Sequence, residues 1–132
     1  MIRGIGMDLV EIDRVQSIME GPSGERFVSR VLTAGEQRLV SERKSRAAEF
    51  VAGRFAAKEA VVKALGTGIS ATVGLQDVEV LPDQGGRPTV VLSRGALERL
   101  GYAPGALKLH LSITHTRDYA AAYAVAETAD GM

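Results

Sequence analysis

Asp8 stands in the run Ile5-Gly6-Met7-Asp8-Leu9-Val10, an apolar setting in which a carboxylate is costly unless it is paired, metal-bound or turned to a cleft. It either faces water or caps the following helix, or it does chemistry. Glu59 and Lys63 are four residues apart, the spacing of an ordinary surface ion pair worth a few tenths of a kcal/mol, or of two groups aimed at one substrate. His115, between Thr114 and Thr116, falls at a strand end, where sites are commonly built; His110 falls mid-strand and reads as a solvent-facing sheet residue. The absence of cysteine excludes disulfides, thiolate catalysis and Cys-ligated zinc or iron–sulfur clusters. With only two histidines, any metal must be a hard one held by oxygen.

The elements that position these residues belong to a chain of 132 residues, enough for one domain. Its 45% apolar and 24% charged content is that of a globular protein. No apolar run approaches a membrane span and the N-terminus has no secretory pattern, so a cytoplasmic location is expected. Zero net charge argues against a nucleic-acid coating protein. Between Arg38 and Lys63, however, Arg38, Arg43, Lys44, Arg46, Arg54, Lys58 and Lys63 outnumber Glu42, Glu49 and Glu59. That excess is either a solvated helix face or a site for a small polyanion. Gly4-Ile5-Gly6-Met7-Asp8-Leu9 lacks the third glycine of a dinucleotide fingerprint, and no phosphate-binding loop of the Gly-x-x-x-x-Gly-Lys type occurs.

Apolar periodicity predicts a strand over Met1 to Val10, then helices over Glu11 to Met19, Glu25 to Leu32 and, behind the Thr33–Glu36 capping box, to about Glu42. The longest helix runs from after Ser45 to Leu65 and ends at Gly66. A hairpin over Asp77 to Leu81 and Thr89 to Leu92, a helix over Arg94 to Leu100, and strands over Lys108 to Thr114 and Tyr119 to Ala126 follow. The expected class is α+β, with helices mainly in the N-terminal half packed on an antiparallel sheet. Residues 1–127 form the single domain and 128–132 a short polar tail.

Three strings carry a resemblance: Gly4-Ile5-Gly6-Met7-Asp8, Gly53-Arg54-Phe55-Ala56-Ala57-Lys58-Glu59-Ala60-Val61-Val62-Lys63-Ala64-Leu65-Gly66, and Ser112-Ile113-Thr114-His115-Thr116. With Thr67-Gly68 and the Gly86-Arg87-Pro88 turn, they resemble the holo-acyl-carrier-protein synthases, small bacterial members of the 4'-phosphopantetheinyl transferase superfamily. The resemblance implies a 4'-phosphopantetheinyl transferase-like fold. It also implies transfer of the phosphopantetheine arm of coenzyme A to a serine of apo acyl carrier protein, with release of adenosine 3',5'-bisphosphate. It implies Mg2+ held by Asp8 and Glu59, a catalytic role for Glu59 and Lys63, and coenzyme A contacts from Arg54, Lys63, Gly66, His115 and Thr116. Carrier docking falls to Arg14 and Arg26, with Arg30 beside them. Neither nucleic acid nor membrane is an expected partner.

Two other functions use the same residues. A non-catalytic module would dock an acidic helical partner through the arginines, and a magnesium-dependent phosphohydrolase would use the carboxylates with water as nucleophile. Ala120, Ala122, Ala124 and Ala126 fall on one strand face and Ala121, Tyr123 and Val125 on the other, so neither face suits water. Helices can cover one; the other calls for identical copies in a closed ring, and the resemblance specifies three. In such a homotrimer, with sites at subunit interfaces, Arg54 and His115 would serve a site whose Asp8 and Glu59 belong to the adjacent chain.

Overall fold

In a computed structural model, which describes residues 1–129, strand β1 (Ile2–Glu11) alternates strictly about its length. Ile5, Met7 and Leu9 point outward and are more than half exposed. Gly4, Gly6, Asp8 and Val10 point the other way, onto the long helix α4 (Ala47–Leu65). The two glycines let strand and helix touch backbone to backbone. A Cβ on Gly4 would fall 1.9 Å from the Ala64 carbonyl oxygen, and one on Gly6 1.9 Å from that of Ala60.

Between β1 and α4 the chain forms α1 (Ile12–Glu20), α2 (Gly24–Val31) and α3 (Ala34–Val40). Beyond Gly66, whose φ of 79° provides the left-handed cap that ends α4, come β2 (Val78–Pro82), β3 (Pro88–Leu92), α5 (Arg94–Leu100), β4 (Leu107–His115) and β5 (Tyr119–Thr128). The class is α+β, as the periodicity predicts. The strands are divided between two antiparallel sheets: β1-β5-β4, with β5 central, and the β2-β3 hairpin, which packs beside β4 without pairing to it. Ala120, Ala122, Ala124 and Ala126 of β5 lie under α4 and are essentially inaccessible. Small residues on both partners, including Ala56, Ala60 and Ala64 of α4, bring helix and sheet close and bury α4 on most sides.

A buried polar node fixes the rotation of α4. The capping box at the start of α3 forms as its sequence specifies: Thr33 N–H donates to Glu36 Oε1 at 2.8 Å and Glu36 N–H to Thr33 Oγ1 at 3.3 Å. The same Glu36 carboxylate accepts from Val80 N–H at 2.7 Å and pairs with Lys58 Nζ at 2.7 Å. Lys58 donates further to the Val31 and Leu75 carbonyls at 2.6 and 3.0 Å, so all three of its protons are satisfied. Burial lowers the pKa of the Lys58 ammonium, against the opposing pull of Glu36. Lys58 therefore leaves the solvated basic face to which its position in the charge run assigns it. The lysine stem crosses the core because the ends of α2 and α3 converge there with unpaired backbone groups.

Thr128, expected in the polar tail, is the buried last residue of β5, donating its N–H to the Met1 carbonyl at 2.9 Å. Strand pairing with the N-terminus extends β5 past the last apolar residue. Residues 130–132 of that tail lie outside the described residues. His110 is exposed, as expected, with Nε2 2.9 Å from Glu127 Oε1. Among the described residues no helix is long and apolar enough to cross a membrane.

The strand–helix contact makes a sharp contrast between two glycines. Gly6→Ala should cost about 3 kcal/mol or more, because backbone must yield to backbone. At Gly53, inside α4, an added Cβ meets only Ile113 Cγ2 at 3.5 Å, so Gly53→Ala should gain up to about 1 kcal/mol from helix propensity. Urea-unfolding midpoints check both; equal effects would mean that β1 does not rest on α4 as described.

Candidate active site

Asp8 follows Gly6 by two residues and so shares its face, which carries the carboxylate to the flank of α4 where Glu59 and Lys63 emerge one turn apart. Lys63 Nζ donates to Asp8 Oδ1 at 3.1 Å and to the Met7 carbonyl at 3.0 Å. The ammonium is half exposed while the Asp8 side chain is only 19% exposed, so the pair opens to solvent on the lysine side. Burial pushes the Glu59 carboxyl above the usual carboxylate range, the nearby Asp8 charge pushes it further, and Lys63 draws it back. Asp8 and Glu59 thus line one cleft as two carboxylates beside Lys63, which pairs with Asp8.

That imbalance suits a hard divalent cation, which takes oxygen ligands and relieves like-charge repulsion. Among the described residues no cluster of three or more His, Cys, Asp or Glu side chains gathers for a metal. A cation at Asp8 and Glu59 would therefore complete its shell with water or substrate oxygens. The Asp8–Glu59 cleft continues along apolar walls that include Phe27 and Phe55, whose rings are 6.3 Å apart, with Arg14 and Tyr119 at its margins. Arg14 on α1 and Arg26 and Arg30 on α2 are exposed.

Arg54 and His115 do not join this cluster. They line a separate basic recess with Arg43, Arg46, Glu49 and Phe50. Arg54 Nε donates to the Val80 carbonyl at 3.1 Å, and its guanidinium carbon lies 4.4 Å from the centre of the Phe50 ring. Burial lowers the Arg54 pKa, with Glu36 opposing and Arg43 adding to the lowering. His115 Nε2 stands 3.3 Å from Glu49 Oε1. The charge run places Arg43 and Arg46 in a possible polyanion site, but Glu49 and Phe50 are not singled out by it. The signal was present, since Arg46, Glu49, Phe50, Gly53 and Arg54 recur at the spacing of one helix face.

The two remaining residues sit at element ends. Gly66 is the exposed cap of α4, just past Lys63. Thr116 builds the β4–β5 turn, its Oγ1 accepting from the N–H groups of Asp118 at 3.3 Å and Tyr119 at 3.1 Å. Neither lines the cleft or the basic recess.

Residues 4–124 match the 4'-phosphopantetheinyl transferase superfamily. A holo-[acyl-carrier-protein] synthase of Geobacillus kaustophilus is 44% identical over 128 residues, covering 96% of this chain and 90% of that protein. Among solved structures, a Bacillus anthracis holo-(acyl-carrier-protein) synthase in complex with CoA (3',5'-ADP) aligns with a TM-score of 0.82 at 39% identity, covering 98% of this chain and 99% of that one. A Helicobacter pylori holo-[acyl-carrier-protein] synthase in complex with coenzyme A aligns with a TM-score of 0.80 at 28% identity, covering 93% and 99%.

The raised Glu59 pKa has a measurable consequence for stability. The folded chain holds a proton on Glu59 more tightly than the unfolded chain does. The group's contribution to stability is therefore full below the ordinary carboxylate range and is lost as pH rises through the folded value. Glu59→Gln should accordingly melt at a higher temperature than the parent at about pH 8, with the gap closing by about pH 4. Thermal melts across that range check it, and a lower melting temperature for Glu59→Gln at about pH 8 would mean that the carboxylates do not strain the fold.

Proposed function

Since the chain belongs to the 4'-phosphopantetheinyl transferase superfamily, we propose that Asp8, Glu59 and Lys63 form the reaction centre of a holo-acyl-carrier-protein synthase. The enzyme transfers the 4'-phosphopantetheine group of coenzyme A to a serine of apo acyl carrier protein and releases adenosine 3',5'-bisphosphate. One observation carries the assignment of the centre: the close set of Asp8, Glu59 and Lys63, built by two of the three strings that resemble the family.

In this reaction the serine hydroxyl gives its proton to water as its oxygen bonds to the phosphorus that carries the pantetheine arm, and the bond from that phosphorus to the bridging oxygen breaks. Negative charge grows on the bridging oxygen and the leaving phosphate, so stabilising that charge is the main task of the protein. A Mg2+ held by Asp8 and Glu59 would supply double positive charge at the pyrophosphate. Lys63 meets a phosphate oxygen as a point charge, with one proton available beyond the two donated to Asp8 and Met7. Arg14 and Arg26 receive the acidic face of the carrier and bring its serine over the cleft.

Arg54 and His115 bind coenzyme A phosphates from the neighbouring copy in a homotrimer, with Gly66 and Thr116 in supporting contact. Two features support this reading. Arg54 and His115 line a recess apart from Asp8 and Glu59, so a single chain presents two partial sites. The sheet face opposite α4 exposes Ile5, Met7, Leu9, Tyr119 and Tyr123, an apolar surface suited to burial between copies.

Mass spectrometry of apo acyl carrier protein incubated with the enzyme, coenzyme A and Mg2+ should show addition of one phosphopantetheine. Asp8→Ala and Glu59→Ala should each reduce that transfer by at least about 100-fold without loss of helical signal. Transfer near the parent level by either variant at saturating Mg2+ would remove the metal assignment. Glu59→Ala and His115→Ala, each inactive alone, should recover part of the activity after mixing and subunit exchange. A fully active monomer by sedimentation at micromolar concentration would refute the shared site.

A further inference from the structure

The Phe50 ring carries two guanidinium groups. The Arg54 carbon lies 4.4 Å from its centre and the Arg43 carbon 4.9 Å. These arginines come from different places: Arg54 from the next turn of α4, Arg43 from the connection that precedes the helix. Both are cations, so they repel one another, and Arg43 is among the groups that lower the Arg54 pKa. Arg54 has already committed Nε to the Val80 carbonyl, which leaves its terminal nitrogens for a ligand.

Packing alone does not require an aromatic side chain here. Phe50 is 8% exposed and belongs to a cluster whose other buried members, among them Ile12, Val15, Val31, Leu32 and Val51, are aliphatic, with Phe27 and Phe55 packed against it from outside. A leucine would fill much of the same space. What an aromatic ring adds is a negative π face, which attracts a cation more strongly the less water reaches it. At this position the ring lies within 5 Å of two cations that border one recess.

We propose that Phe50 is a positioning residue of the basic recess, its ring holding Arg43 and Arg54 close together so that both guanidiniums meet one phosphate group of coenzyme A. This rests on the reading that the recess binds a coenzyme A phosphate. Phe50 touches neither the reacting phosphorus nor the serine. Its contribution is to arrange two like charges before the ligand arrives, which lowers the cost of binding rather than the barrier to transfer.

The test compares steady-state kinetics of Phe50→Leu, Phe50→Tyr, Arg54→Ala and the double variant Phe50→Leu/Arg54→Ala, with thermal melts of each. Phe50→Leu should raise KM for coenzyme A about tenfold, with kcat and KM for the carrier protein within about twofold of the parent. Phe50→Tyr, which keeps the π face, should bind like the parent, and the double variant should be little worse than Arg54→Ala alone. Should Phe50→Leu fail to fold, Phe50→Met makes the same comparison, and calorimetric titration with adenosine 3',5'-bisphosphate reads binding without turnover. An unchanged KM in Phe50→Leu beside a raised one in Arg54→Ala would overturn the role of Phe50, as would equal loss in the leucine and tyrosine variants. An unchanged KM in Arg54→Ala would instead overturn the reading of the recess itself.

Discussion

The absence of side chains at Gly4 and Gly6 is the constraint on which the rest of the structure depends. An added Cβ at either position would overlap a carbonyl oxygen of α4. Strand and helix can meet at that distance only as bare backbone, and the meeting sets the register of everything further along β1. Asp8 is the next residue on the same face after Gly6, so close contact at the glycines delivers its carboxylate beside Glu59 and Lys63. The geometry of the proposed reaction centre is thus a continuation of a packing contact.

A close contact along α4 leaves its rotation to be settled, and the Glu36–Lys58 node does this. Lys58 immediately precedes Glu59, so tying its ammonium to Glu36, Val31 and Leu75 on one side of the helix turns Glu59 toward β1. A buried ion pair adds little net stability, because desolvation offsets much of the attraction. Its value here is orientation, since every proton of the lysine is matched by an acceptor. Asp8 and Glu59 present the opposite balance: two partly buried carboxylates share the single charge of Lys63. One carboxylate serves the architecture, and the other two are those proposed for the chemistry.

The two partial sites follow from the same geometry. Residues on α4 that face β1 reach the Asp8 cleft, whereas Arg46, Glu49, Phe50 and Arg54, nearer its start, face the end of β4 and His115. Arg54 and Glu59, five residues apart on the helix, point about 140° apart around its axis. Alternation in β1 and β5 leaves Ile5, Met7, Leu9 and Tyr123 outward as the price of sending glycines and alanines inward. Assembly through that apolar face would unite the partial sites, which makes burial of the surface and completion of the site a single event in the proposed trimer.

Most of the fold is legible in the sequence because it is written in local signals. The Thr33–Glu36 capping box, the Gly66 cap, the glycine-rich turn before Pro88 and the alternation of β5 each need only near neighbours, and each element lies within a residue or two of its expected place. Asp8, Glu59 and Lys63 are legible as chemistry for the same reason, since residue type and spacing single them out. Their convergence is another matter. Nothing local distinguishes Lys58, wholly buried, from Lys63, half exposed, although both are lysines of one helix within the same charge run. Nor does spacing reveal that Phe50 would hold two arginines. Those outcomes depend on which carbonyls, carboxylates and rings arrive from distant parts of the chain, and a charged group's fate depends on partners that only tertiary packing assembles.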